Sequence, residues 1–143
     1  MAQSTSSPTN PTYTVDAPLF PVASAATIYA DENVGLNASG YLVPMSDAAA
    51  ILFMGYALLD GLNAAGGNGA ISVPVNLLGA GSDGRLYNFN CTGATQAWVG
   101  TIVYFTDDHT VAASSVHSNI AGLVTQFENS TNVVVDVTRR AAT

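Results

Sequence analysis

From about residue 22 onward the chain is a succession of short runs rich in Val, Ile, Tyr and Phe, separated by Gly, Asn, Asp and Ser. That is the pattern of half-buried strands joined by tight turns. The clearest run is Ile71-Ser72-Val73-Pro74-Val75-Asn76-Leu77. Side chains in a strand alternate between faces, so Ile71, Val73, Val75 and Leu77 share one face and Pro74 lies on the other. A proline has no N–H to give a ladder, which predicts a sheet edge or a bulge at Pro74. Residues 101–106 and 133–138 predict two more strands, bounded by Gly100 and Asp107 and by Asn132 and Arg139. Residues 123–127 are expected to pair with the last of these through Glu128-Asn129-Ser130-Thr131-Asn132.

Helical signal is confined to two places. Asp47-Ala48-Ala49-Ala50 opens with a capping residue and helix formers before Gly55 and Tyr56 interrupt, which predicts one helical turn and then a strand through Leu59. Residues 95–99 predict a second short turn, with Thr95 as cap and Gly100 beyond its end. There is neither a long amphipathic helix nor a sustained repeat. The expected fold is all-β, one domain over residues 22–143.

Residues 1–21 differ in kind. They hold Pro8, Pro11, Pro18 and Pro21 among Ser, Thr and Asn. Proline fixes φ, removes donors and biases its predecessor to extended geometry, so the segment is predicted to be an extended arm. A spacer has no need of Tyr13, Val15, Leu19 and Phe20. These four are the candidate contact residues, for a groove on the arm's own domain or on a partner.

Composition narrows the partners. Only 9% of the 143 residues are charged, and there is no lysine: Arg85, Arg139 and Arg140 stand against ten carboxylates, for a net charge of −7. Phosphate affinity comes from clustered cations, so neither nucleic acid nor an anionic membrane is an expected ligand. The longest nearly apolar stretch, residues 48–59, is far short of the roughly 20 residues that cross a bilayer. The first twenty residues lack a positive segment followed by an apolar core, so no secretory signal is expected and the protein should remain where it is made. Three Asn-x-Ser/Thr sequons are accordingly read as chance. Cys91 is the single cysteine and is read as a small packed residue.

Candidate chemistry is sparse. Gly79-Ala80-Gly81-Ser82-Asp83-Gly84 spells a dinucleotide fingerprint, but Arg85-Leu86-Tyr87-Asn88-Phe89-Asn90 behind it has strand character. The fingerprint needs a helix N-terminus against the pyrophosphate. Asp107-Asp108-His109 and His117, with Ser114 and Ser115, contain the residue types of a hydrolase triad or a metal site. The serines lack the constrained, glycine-flanked turn of a nucleophile, and Asp side chains commonly satisfy local amides in such a turn. No catalytic residue, metal or cofactor is expected. Trp98, the only tryptophan, is a candidate interface anchor, with core packing as its alternative.

Two stretches carry a family resemblance. The first is Thr27-Ile28-Tyr29-Ala30, then residues 34–44 (Val-Gly-Leu-Asn-Ala-Ser-Gly-Tyr-Leu-Val-Pro), then Gly55-Tyr56-Ala57-Leu58. The second is residues 99–112 (Val-Gly-Thr-Ile-Val-Tyr-Phe-Thr-Asp-Asp-His-Thr-Val-Ala), continued by Ile120-Ala121-Gly122-Leu123-Val124. In order and spacing these resemble tailed-phage capsid decoration, or cement, proteins. The family commonly ends in a Trp-containing strand, whereas residues 133–137 here are Val-Val-Val-Asp-Val.

The resemblance implies a small β-barrel or β-tulip-like domain. It further implies a homotrimer bound to the major capsid protein at threefold or quasi-threefold sites on the outer surface of an expanded head, with no enzymatic role. The alternative expectation is a carbohydrate-binding β-domain or adhesin, using Tyr29, Tyr41, Tyr56 and Trp98 as stacking platforms.

Overall fold

A computed structural model describes residues 17–80 and 85–141. It is all-β. The first half supplies β1 (Leu19–Pro21), β2 (Thr27–Ile28), β3 (Asn33–Leu36), β4 (Leu42–Pro44), β5 (Leu52–Ala57), β6 (Gly61–Leu62) and β7 (Ser72–Leu77). The second supplies β8 (Leu86–Asn90), β9 (Ile102–Phe105), β10 (Val111–Ala112), β11 (Ile120–Asn129) and β12 (Asn132–Asp136), with a 3-10 turn at Gln96–Trp98. The strands form two five-stranded antiparallel sheets, β1-β7-β5-β3-β4 and β10-β9-β11-β12-β8, and a two-stranded sheet, β2-β6.

Each large sheet curls until its edges meet. Beyond β1, Val22 bridges Leu42 of β4 in parallel, and Ala23 N–H donates to Leu42 O at 2.9 Å. At the end of β8 the same device recurs: Asn90 bridges Thr110, and Asn90 N–H donates to His109 O at 3.1 Å. Each sheet is thereby curled into a half-barrel whose edges are pinned to each other at one point, which shortens the unpaired edge that an open sheet would expose.

Two cores result. The smaller is made by the first half alone, from Val22, Ile28, Val34, Leu42, Ala57, Val73 and Val75, with Phe20 and Ile71 packed on it. The larger fills the second sheet with Val103, Phe105, Val124, Val133 and Val135, and also takes Met45, Ile51 and Phe53 from the first half. Phe53 and Ala57 have the same parity along β5, yet they enter different cores. Between them lie Gly55, at φ 147°, and a register shift opposite Val34 and Gly35. This bulge turns the strand from one core to the other. A Cβ at Gly55 would collide with Asn76 O, so the bend requires glycine there.

Most expected strands are found. The hairpin of β11 and β12 is the one predicted at the C-terminal end, and residues 95–99 hold the 3-10 turn, with Thr95 at its N-cap. Two expectations are corrected. Residues 47–50 form no helical turn, because the Asp47 carboxylate accepts the amides of Val116 and His117 (2.9 and 2.7 Å) instead of those of its own segment. Pro74 lies inside a sheet, β7 being flanked by β1 and β5. Its missing N–H falls where β5 ends, and the bond remaining there, Leu58 N–H to Pro74 O at 3.0 Å, uses the carbonyl proline keeps. Leu19–Pro21, the last residues of the expected arm, lie in extended conformation against β7 as β1.

Candidate functional site

The root of the arm is the first candidate surface. Of its expected contact residues, Tyr13 and Val15 lie outside the described residues. Leu19 and Phe20 are in register with Pro74 and Val73. Phe20 packs on the smaller core, a groove on the arm's own domain being one of the two placements expected for it. Leu19 points outward and is 68% exposed. Backbone pairing gathers further apolar side chains at this end. Pro74, opposite Leu19, accepts the amide of Leu58, and the β2-β6 pair sets Thr27 against Leu62 with Tyr29 next in line. Leu59 and Leu62 are each 61% exposed, and Tyr29 is also exposed. Trp98, by contrast, is half-buried against the larger core.

The polar turn after β9 is the second candidate. His109 Nδ1 sits 2.6 Å from Asp108 Oδ1 and 3.5 Å from Asp107 Oδ1, while its amide donates to Asp107 Oδ1 at 2.9 Å. The bond to Asp108 raises the imidazole pKa above its ordinary value. The turn is joined to the first sheet by Asn33, whose amide and Nδ2 both donate to Asp108 O, the latter at 2.8 Å. Glu32 packs alongside. Burial, and then the facing Asp108 charge, push its carboxyl upward. Asp107, Asp108 and His109 are the one group of ligand type among the described residues, their donor atoms lying within 4.8 Å of one another. Those atoms are already engaged with each other, which makes the cluster a clasp between the two sheets.

The triad types are not assembled. His117 Nδ1 pairs with Asp47 O at 2.7 Å, and Ser115 Oγ accepts the Ser118 amide. No hydrogen bond joins Ser114 or Ser115 to His117 among the described residues. Cys91 is buried with its thiol pKa pushed up by desolvation, a poor nucleophile. The strand β8 stands where a dinucleotide site requires a helix, and residues 81–84 of that motif lie outside the described residues.

Three features escape the linear reading. Asp136 is fully buried beside Arg85 Nε at 2.7 Å, and its other oxygen accepts Thr138 N–H and Oγ1–H at 3.0 and 2.6 Å. Burial opposes ionisation there, but the Thr138 hydroxyl and Arg85 outweigh it and hold the carboxyl below its usual range. An open depression of about 340 Å³ is lined by Asp31, Asn33, Tyr56, Leu86, Tyr87 and Asn88, at the seam of the two sheets. A third involves Arg140, next to Ile120 and the turn before β5. All three join residues far apart in sequence; the only prior signal was the scarcity of cations.

Compared with known proteins, the chain matches no protein-family model and has no significant match among curated sequences.

Proposed function

We propose that this protein is a capsid decoration protein that assembles as a homotrimer and cements the outer surface of an expanded phage head. One observation carries the proposal: Leu19 of β1, Tyr29 just after β2, Leu59 just before β6 and Leu62 of β6 all stand exposed to solvent. A self-contained domain gains nothing from leaving such side chains in water, whereas a protein seated among shell subunits buries them. The order of the motifs in residues 27–58 and 99–124 supports the same assignment. A ligand that binds only the assembled shell stabilises it by mass action, and three arms on one trimer add avidity without tight binding by any single arm.

The test separates arm from body. Deletion of residues 2–16 leaves β1 in place, so the melting temperature should be unchanged while co-sedimentation with expanded empty capsids falls. Deletion of residues 2–20 strips Leu19 and Phe20 from β7 and should lower the melting temperature as well. Light scattering should give a trimer. Undiminished capsid binding by the shorter deletion, or a monomer across micromolar concentrations, refutes the assignment.

A saccharide-binding role is the second reading. It is favoured by the seam depression, where Tyr56 and Tyr87, rings 6.0 Å apart, stand with Asp31 and Asn88. Aromatic rings beside amide and carboxylate groups suit a neutral sugar, and a glycan array with Tyr56→Ala as control tests it directly.

A further inference from the structure

We infer that Glu32, Asp108 and His109 form a proton-operated catch between the two large sheets, shut at mildly acidic pH and eased as the pH rises. Glu32 immediately precedes β3, and Ala57 N–H of β5 fixes its backbone by donating to Glu32 O at 2.9 Å. Asp108 and His109 belong to the turn between β9 and β10 of the second sheet. Two backbone carbonyls make that turn a junction. Asp108 O accepts the amide and Nδ2 of Asn33 in the first sheet, at 3.3 and 2.8 Å. His109 O accepts Asn90 N–H, the bond that pins the end of β8. A change that loosens this turn therefore acts on the seam and on the curl of the second sheet together.

Charge at the junction is unbalanced. Three carboxylates, Glu32, Asp107 and Asp108, act on the one imidazole of His109. Glu32 Oε2 is enclosed and meets no donor among the described residues, while Asp108 faces the same carboxyl. Two ionised carboxylates only accept hydrogen bonds, so they repel each other and leave that oxygen unsatisfied. A proton on Glu32 supplies the missing donor from within the protein and converts the facing pair from repulsive to bonded.

Glu32 and His109 act in the same direction. Burial, and then the Asp108 charge, raise the Glu32 carboxyl above its ordinary 4.5 against a backbone bond at Tyr29. Its contribution is complete below that pH and is lost as the pH rises through the folded value. The hydrogen bond to Asp108 raises His109 above 6.5, so its contribution too is complete below that pH and is lost on the alkaline side. Asp107 sets the opposite boundary. Burial opposes its ionisation, but the His109 amide and Thr110 outweigh it and hold the carboxyl below 3.8, so its contribution is present above that pH and disappears only on stronger acidification.

The isolated full-length protein tests the catch without any capsid, so the inference fails or stands apart from the proposed function. Carboxyl NMR should give Glu32 a midpoint above 4.5. Amide hydrogen exchange, corrected for intrinsic rates, should show protection at Asn33 and Asn90 falling about tenfold or more between about pH 5 and about pH 8. Ala23, whose amide pins the first sheet to Leu42, should keep its protection. Glu32→Gln sets a permanent amide donor against Asp108 and should protect Asn33 more strongly than wild type at the higher pH but not at the lower. The fall that remains in this variant should follow the His109 midpoint. If Glu32→Gln fails to fold, the wild-type titration and exchange profile still decide. A Glu32 midpoint at or below 4.5, protection that is flat with pH, an equal fall at Ala23, or a fall of unchanged size and midpoint in Glu32→Gln overturns the inference.

Discussion

Replacing Phe53 by Ala is the sharpest probe of how the two halves are held together. Phe53 is 2% exposed and comes from the first sheet, but its ring lies 4.6 Å from that of Phe105, 6.3 Å from Phe89 and 6.1 Å from Tyr87, all of the second. The lost transfer of a buried aromatic side chain is about 2 kcal/mol. The vacated space of roughly 100 Å³, at about 24 cal/mol per Å³ when the surroundings do not collapse, adds about 2.4 kcal/mol. The sum is about 4.5 kcal/mol, a large part of the roughly 5–15 kcal/mol that holds a domain folded.

Taking about 2.1 cal/mol/K of unfolding entropy per residue over the 143 residues, the melting temperature should fall by about 15 °C. Urea unfolding followed by near-UV circular dichroism checks the free energy. Leu52, the preceding residue on the opposite face, is 56% exposed, and Leu52→Ala should stay within about 0.5 kcal/mol. A loss below about 1.5 kcal/mol for Phe53→Ala would mean that the aromatic cluster is not the joint between the sheets.

Other expectations follow from the polar contacts and tight approaches. Asp136→Asn should destabilise by about 2 kcal/mol, the range for a hydrogen bond to a charged group. Because the folded carboxyl titrates below its unfolded value near 3.8, its contribution is present above that pH and disappears on acidification through the folded pKa, so the variant should show a flatter acid limb in a plot of melting temperature against pH. For His109 the sign is reversed: its folded pKa lies above 6.5, so its contribution is complete below that pH and fades as pH rises through the folded value. Imidazole NMR should place its midpoint above 6.5 and see it move down in Asp108→Asn. Gly122→Ala should cost about 1–3 kcal/mol by crowding, since φ is 155° and a Cβ would strike Asp136 O across the β11-β12 pair; a chemical melt within 0.5 kcal/mol of wild type would contradict the close approach.

What the sequence revealed and what it hid divide along a physical line. Alternation in residues 71–77, and the turn residues between β11 and β12, are local signals, and both elements stand where the pattern put them. Asp47 misled because a capping side chain does not declare which amides it will accept, and these lie about 70 residues away. Pro74 misled because an interior strand accepts proline wherever its neighbour stops short. The sites were the least legible part. Arg140 with Ser118 and Ala50, or Tyr56 with Tyr87, become neighbours only when two sheets close, and no spacing along the chain encodes that.

The short strand at the root of the arm also has a mechanical meaning. Pro18 O accepts Val75 N–H at 3.1 Å, Val22 N–H donates to Ile71 O at 3.0 Å, and Ala23 N–H donates to Leu42 O, so β1 and its continuation are stitched to strands on both sides. A pull applied along the axis of β1 loads these bonds together in shear, and they must give way as a group instead of opening one after another. The element beneath is the smaller core, which shares none of its buried residues with the larger one. A load applied at β1 therefore falls first on these bonds and on the smaller core beneath them, and reaches the larger core through β5, whose Phe53 is seated there.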